Sequence, residues 1–488
     1  MSEQDASIPH FILLVTFNAV AVGAFTASMP LLPMMLPDGS PVIFSAITLI
    51  AFASPFLILN PILTSERIKA CILSEVLICG ACIGTVGNML LSFTLLVAHR
   101  TATDAFLGKF VLSPSVARIC IPITMAISGI GASMSHLGIV RWIEDSLRSL
   151  TESVRQLVVG ERIAASELAI GLGAAVSPIL FYCVATTRQS VFVPFLIAGC
   201  LQMCLSIRLS TVLRSPTSGT PSSDGIASES TTREGSQWMS SERFANSAYG
   251  SIRENDETIF KISEAEALLD LQDDRDPGVG HALRFPWVWI TLFLAVIASS
   301  STSFLRPILA PRLLHELHEP QIAVAAIFSL CTLTATIAEG RMILLIMDWL
   351  GIRNAVFVGL LVCFCGFRIL LEGSRTIFPV TLIVLGSSTA LTLTVLDLSL
   401  TTHIPTNNAS NSLNLLAGFA FSVGEVIGML VAGLCYDGGD GFVETASKWY
   451  HFMCIAYVLA FIPYGIMLIC EHVFPSAARR VVSYRVPL

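Results

Sequence analysis

Apolar residues in this chain come in long blocks separated by short polar breaks. Twelve blocks can be drawn, at roughly 9–35, 41–63, 70–98, 115–140, 163–186, 190–208, 285–310, 320–347, 354–371, 378–402, 411–436 and 449–472. A block of about 18–29 residues, wound as a helix rising 1.5 Å per residue, crosses the ~30 Å hydrocarbon core of a bilayer. A helix on the surface of a soluble domain would show polar residues on every turn. The pattern predicts an all-α membrane protein with 12 transmembrane helices in two six-helix bundles. Residues 1–208 form the first bundle, 209–284 a linker, and 285–488 the second bundle with a short tail.

The linker reads SPTSGTPSSDGIASESTTREGS from Ser215 and holds too few apolar residues to offset the entropy of ordering, so it is expected to be largely disordered. Composition agrees with the blocks. Of 488 residues, 54% are hydrophobic and 13% charged, where a soluble chain carries about 25% charged. Mean hydropathy is +0.75.

A net charge of −7 and the lack of any basic run interleaved with aromatics argue against a nucleic-acid partner. The 13 cysteines lie in or beside apolar blocks; Cys79 and Cys82 form a lone CxxC inside a span, which reads as helix packing, so no metal is expected. No HExxH, GxSxG or mid-span aspartate pair occurs, so neither an enzyme nor a cofactor is expected.

Met1 to His10 lacks the basic region of a cleaved signal, so the first block is expected to stay as a span. Loops with an even number hold Arg67, Lys69, Arg141, Arg148, Arg155, Arg162, Lys261 and Arg353, and the tail adds Arg479, Arg480 and Arg485. Odd loops hold fewer: Arg100, Lys109, Arg188, Arg312, Arg375 and Lys448. Both termini and the linker are therefore expected on the cytosolic side of the plasma membrane or of an endomembrane such as the vacuole.

Four kinds of local pattern, carried by six segments, sit on this frame. After the eighth block, LIMDWLGIRN offers Asp348, Gly351 and Arg353, and after the second block NPILTSERIK offers Glu66 and Arg67. The fourth block holds MAISGIGAS with Gly129, Gly131 and Ala132, and the fifth holds GLGAAVSPIL with Gly173 and Pro178. The eleventh holds SVGEVIGMLVAGLCYDGG with Gly424, Gly428, Gly433 and Asp437, and the first ends in MPLLP (Met29–Pro33). Together these resemble the major facilitator superfamily, whose signature Gly-x-x-x-Asp-Arg-x-Gly-Arg follows the second span of each half. MPLLP also resembles its drug:proton antiporter and vesicular amine transporter branches, and GLGAAVSPIL an element of the antiporter branches.

The match is imperfect: Leu344 and Trp349 replace the signature's first Gly and first Arg, and Met125 stands at the fourth-span arginine. That arginine is tied to proton coupling in the family; Arg118, seven residues earlier on the same helical face, is a possible substitute. The resemblance implies alternating access between two bundles and proton-coupled antiport of a small organic molecule of the drug or secondary-metabolite class. Uniport, symport and a non-transporting receptor on the same fold stay open. In these terms the loop acids and arginines hold one access state, although Arg67 and Lys69 read equally well as positive-inside anchors. The glycines of the fifth and eleventh spans, with Pro178, are expected to form the gating seam.

Charges at membrane depth cost at least ~2.5–3.5 kcal/mol unless paired or wetted, so they mark candidate sites. Glu425 counts to mid-membrane. Asp397 and Glu339 (beside Arg341) fall toward the cytosol, and Arg306 and Arg368 toward the far side. Each is a candidate for proton coupling or substrate binding, or else half of a buried ion pair such as Glu339 with Arg341 or Glu425 with Arg368. Asn18, mid-way along the first span, needs a partner and is a further candidate. Glu75, Glu167 and His136 sit near span ends, where snorkelling explains them. In the linker, EAEALL places Glu264, Leu268 and Leu269 in an acidic dileucine pattern that a sorting adaptor reads.

Overall fold

A computed structural model describes residues 3–37, 40–63, 70–99, 112–146, 152–214, 286–339, 343–372, 377–401, 407–436 and 442–473. Among them twelve long helices follow the twelve apolar blocks. The first six are α1 (Glu3–Met35), α2 (Val42–Leu63), α3 (Ala70–Ala98), α4 (Pro114–Ser146), α5 (Glu152–Val184) and α6 (Phe192–Arg214). The second six are α7 (Pro286–Pro311), α8 (Gln321–Ile337), α9 (Ile343–Glu372), α10 (Ile377–Thr401), α11 (Asn407–Cys435) and α12 (Phe442–Val473). Eleven carry stretches long and apolar enough to cross a membrane, and α8 is a shorter apolar helix of 17 residues. At 1.5 Å per residue α8 still measures about 26 Å, near the hydrocarbon thickness.

The boundary between the eighth and ninth blocks differs from the sequence reading. α8 ends at Ile337 instead of running to residue 347, and residues 343–350 are already helical. The helical path breaks at Gly351, whose φ of 72° and ψ of 159° suit only a residue without a side chain. A short helix carrying Asp348 thus meets the ninth span at the signature glycine.

Packing repeats between the halves. α1 packs on α5 as α7 packs on α11; α2 on α4 as α8 on α10; α3 on α4 as α9 on α10; and α3 on α6 as α9 on α12. The seams between halves are α2 against α11 and α5 against α8, with α1 against α7 between them. Exchanging the halves turns α2–α11 into α8–α5, so the arrangement is two-fold in kind. The helices form one compact body.

Small residues make the closest crossings. A side chain on Gly131 of α4 would strike the backbone of Gly84 on α3, and one on Gly129 would strike the backbone of Phe52 on α2. These two MAISGIGAS glycines therefore serve packing within the first half. Met125, at the missing arginine's place, is buried in that half's core.

Candidate functional site

One cavity of about 530 Å³ lies between the halves, walled by α1, α2, α4 and α5 from the first and α7, α8, α10 and α11 from the second. Several helices contribute stripes at helical spacing. On α1 it is Val22, Phe25, Thr26 and Met29; on α7, Thr302, Leu305, Arg306 and Leu309; on α8, Phe328, Cys331, Thr332 and Ala335, with Glu339 just past its end. The walls are mainly apolar and aromatic with a few charged groups, as a small-molecule site requires.

The deepest charges are Arg306 and Glu425. Their side chains form an ion pair across α7 and α11, with Nη1 to Oε1 at 2.8 Å and each side chain 30% exposed. Glu425 lies halfway along the apolar stretch Leu416–Cys435, about 14 Å from its start at 1.5 Å per residue. Its register is fixed by Gly424 and Gly428. A side chain on Gly424 would come within 2.6 Å of the Val296 carbonyl of α7, and one on Gly428 would strike the backbone of Ser300. Close contact on those faces turns Ser422 and Glu425 toward the cavity.

Arg368, the partner expected for Glu425, is exposed on α9, beside Cys454 of α12. α9 packs on α10 and α12, so its basic residue points away from α11 and Arg306 takes the role. Arg118 does not reach the cavity either. Its Nε donates to Ser40 Oγ at 3.1 Å and its guanidinium lies 5.5 Å from the Phe44 ring centroid, pinning the turn between α1 and α2. Asp397 is half-buried near the end of α10, outside the cavity walls.

Asn18 is 1% exposed, and neither amide atom has a hydrogen-bond partner among the described residues. It stands one turn before Val22, on the α1 face that Phe25 and Met29 continue along the cavity.

Three groups fall toward the other end of the cavity. His136 of α4 and Glu167 of α5 pair at 3.7 Å, and Glu339, two residues past the end of α8, is exposed. All three line the cavity. Snorkelling was the expectation for His136 and Glu167; the structure puts both on the inner wall, while Glu75 is exposed as expected. Position near a span end was legible, whereas direction around the helix was not. A usable signal existed in Glu167, Ile170 and Ala174, which share one face of α5.

The motif glycines divide between crossings inside each half and the seam between halves. Gly173 packs on Ala19 of α1 and Gly424 and Gly428 pack on α7, all inside their own halves. Across the halves the close approaches are Gly171 of α5 on Thr336 of α8, and Gly433 of α11 on Ile43 and Ala46 of α2. Pro178 lies inside α5 without ending it. At the end of the molecule where α1 finishes and α8 begins, Gln321 Nε2 donates to the Pro30 carbonyl at 2.7 Å, and Arg188 Nη2 to the Pro33 carbonyl at 3.2 Å. The first of these bonds joins the two halves through MPLLP. Past Gly351, the Tyr464 hydroxyl donates to the Arg353 carbonyl at 3.0 Å, tying α9 to α12. Glu66, Arg67, Lys69, Glu264, Leu268, Leu269, Asp437 and Arg341, the partner expected for Glu339, lie outside the described residues.

No family model matches the chain. No curated protein matches it in sequence. Solved structures do. A D-xylose-proton symporter superposes with a TM-score of 0.64 at 12% identity, covering 95% of this chain and 97% of the other. The nucleoside transporter NupG, as a D323A mutant, gives 0.57 at 12% identity over 94% and 99%. At that identity the likeness is one of fold. The chain has the major facilitator fold.

Proposed function

We propose that the chain is a secondary active transporter that moves a small organic molecule, of the drug or secondary-metabolite class, by alternating access with proton antiport. One observation carries the reading. A cavity walled by both halves holds a half-buried ion pair, Arg306–Glu425, midway across the apolar layer. Ion pairs at such depth are costly to maintain, and a site where one partner can be neutralised by a proton gives the cost a use.

Protonating Glu425 removes the charge that holds Arg306, and a substrate group and a proton then compete for the same carboxylate. The halves rock about the α2–α11 and α5–α8 seams. Among the described residues the Gln321–Pro30 bond ties the halves at one end, and Glu167 and Glu339 are exposed toward the other. With both termini cytosolic, this is an inward-open state in a plasma membrane or endomembrane.

Counterflow in proteoliposomes against a metabolite panel, with and without an imposed pH gradient, is the test. Accumulation driven by an outward-to-inward exchange of protons for substrate is expected. Symport or uniport is the second reading, favoured by the D-xylose-proton symporter among the solved neighbours. Reversal of the gradient's effect selects symport, and indifference to it selects uniport. Binding without counterflow under any gradient refutes transport and selects a receptor.

A further inference from the structure

We infer that the short helix at 343–350, ahead of the Gly351 break in α9, lies on the bilayer surface as an interfacial anchor, its outer face set among lipid headgroups and the first acyl carbons. This anchor is independent of what the cavity carries.

Exposure singles the helix out. Trp349 is 90% exposed and Leu345 71%, the two highest values for large apolar side chains among the described residues. They stand four residues apart and share one face of the helix. The face about a third of a turn away holds Ile343, which is buried, and Ile346, both packed on the core of the second half. A helix this short is marginal by itself in water and needs support from outside. The core supports the inner face. The outer face is just as apolar, and an indole beside a leucine at full exposure marks a surface that something other than water covers.

Height and direction fit the headgroup layer. The apolar stretch of the ninth span runs Trp349–Leu370, 22 residues or about 33 Å, so its first residue falls at the edge of the ~30 Å hydrocarbon core. Gly351, with its φ of 72°, turns the chain out of the span axis at that level. Two bonds hold the turn. Asn354 Nδ2 donates to the Leu350 carbonyl at 2.9 Å, and the Tyr464 hydroxyl donates to the Arg353 carbonyl at 3.0 Å. The apolar surface that the spans turn to lipid begins just past the break: Phe357, Val358 and Leu361 of α9 are exposed, as are Ile466 and Ile469 at that end of α12. Leu345 and Trp349 extend this surface into the interfacial layer.

The side-chain chemistry agrees. An indole joins a large apolar body to one N–H donor and concentrates at the membrane–water boundary, where a neighbouring leucine reaches the acyl chains. The resembled loop signature has an arginine at this position, and Trp349 exchanges a charge that suits water for a ring that suits the interface. A soluble partner protein could also cover an exposed indole. The level of Trp349 at the hydrocarbon edge, beside lipid-facing side chains, decides for the bilayer.

The test uses the full chain in phosphatidylcholine nanodiscs, compared with Trp349→Phe, which removes one indole at an exposed position and leaves the fold intact. The difference in tryptophan emission between the two belongs to Trp349. Lipid brominated near the top of its acyl chains is expected to quench at least half of that difference, and aqueous iodide about a tenth or less. Iodide quenching with no effect of brominated lipid puts the indole in water and overturns the anchor. Protection from both quenchers shows a protein contact, with a second copy or another segment of the chain, and overturns it too. Hydrogen exchange gives a reading free of tryptophan optics. Leu345→Ala with Trp349→Ala should speed exchange of the amides of residues 343–350 about ten-fold in nanodiscs, with exchange in the spans unchanged as the sign of an intact fold. Equal exchange of this helix in the wild type and the double variant overturns the anchor, whatever the cavity transports.

Discussion

Removing one charge of the Arg306–Glu425 pair separates its structural from its coupling role. Glu425→Gln keeps size and hydrogen-bonding capacity but strands Arg306 at mid-membrane depth. A lone buried partner typically costs about 3–5 kcal/mol. Here each side chain is 30% exposed toward a cavity that water can enter, so the expected loss is smaller, about 1–3 kcal/mol. Arg306→Gln should cost a similar amount. If the pair is the cause, Arg306→Gln with Glu425→Gln should recover at least half of the sum, since neighbours in one ion pair are non-additive. Thermal unfolding of the purified variants in one detergent reads this cycle. The same proteins in proteoliposomes read the coupling. Glu425→Gln, fixed in the protonated form, should keep substrate-for-substrate exchange and lose gradient-driven accumulation. Full accumulation by Glu425→Gln at normal stability would refute both roles.

Four further outcomes are expected. Gly351→Ala should lower stability by about 1–3 kcal/mol, because a φ of 72° with a ψ of 159° is closed to a side chain; an unchanged unfolding midpoint contradicts the kink. Asn18→Leu should leave stability unchanged or raised, since both buried amide atoms lack a partner, and a loss above about 1 kcal/mol shows that the amide is satisfied. Gly171→Ala puts a methyl 2.5 Å from the Thr336 side chain across the α5–α8 seam, so counterflow should slow several-fold and Thr336→Ala should restore most of it. Accessibility tags at Ser2, Ser236 and Leu488 should all report the cytosolic side; one tag on the opposite side ends the twelve-span topology.

What the sequence could and could not disclose follows from what each signal measures. Block length and hydropathy report how far a residue stands along a span, and they put Glu425 at mid-membrane and α1 to α12 in order. They carry no information on direction around the helix once nearly every position is apolar. That is why Arg368, and not Arg306, was named as the partner of Glu425, and why Glu167 and His136 read as interfacial. Azimuth is set by where backbones touch. Gly424 and Gly428 press α11 onto α7 and thereby aim Glu425 at Arg306, a consequence of packing between segments over a hundred residues apart. The same blindness hides which motif glycines reach the seam: Gly171 and Gly433 meet the other half, whereas Gly173, Gly424 and Gly428 serve crossings within their own. Gly351 was singled out only as a signature glycine; its φ of 72°, open to a residue without a side chain, is what the structure adds.

The internal repeat connects these points. Gly173 packs on α1 as Gly424 packs on α7, so Ala174 stands in the first half where Glu425 stands in the second, and both line the cavity. Gly23 meets Ser177 as Ser300 meets Gly428, which puts Met29 where Arg306 stands, and these two also line the cavity. The two halves therefore aim the same four helix positions at one space, yet the first half fills its pair with a thioether and a methyl. Packing geometry is shared by the repeat and charge is not. An apolar surface on one side and an ion pair on the other is the asymmetry a carrier needs if the first half is to grip the body of a substrate while the second handles its charge.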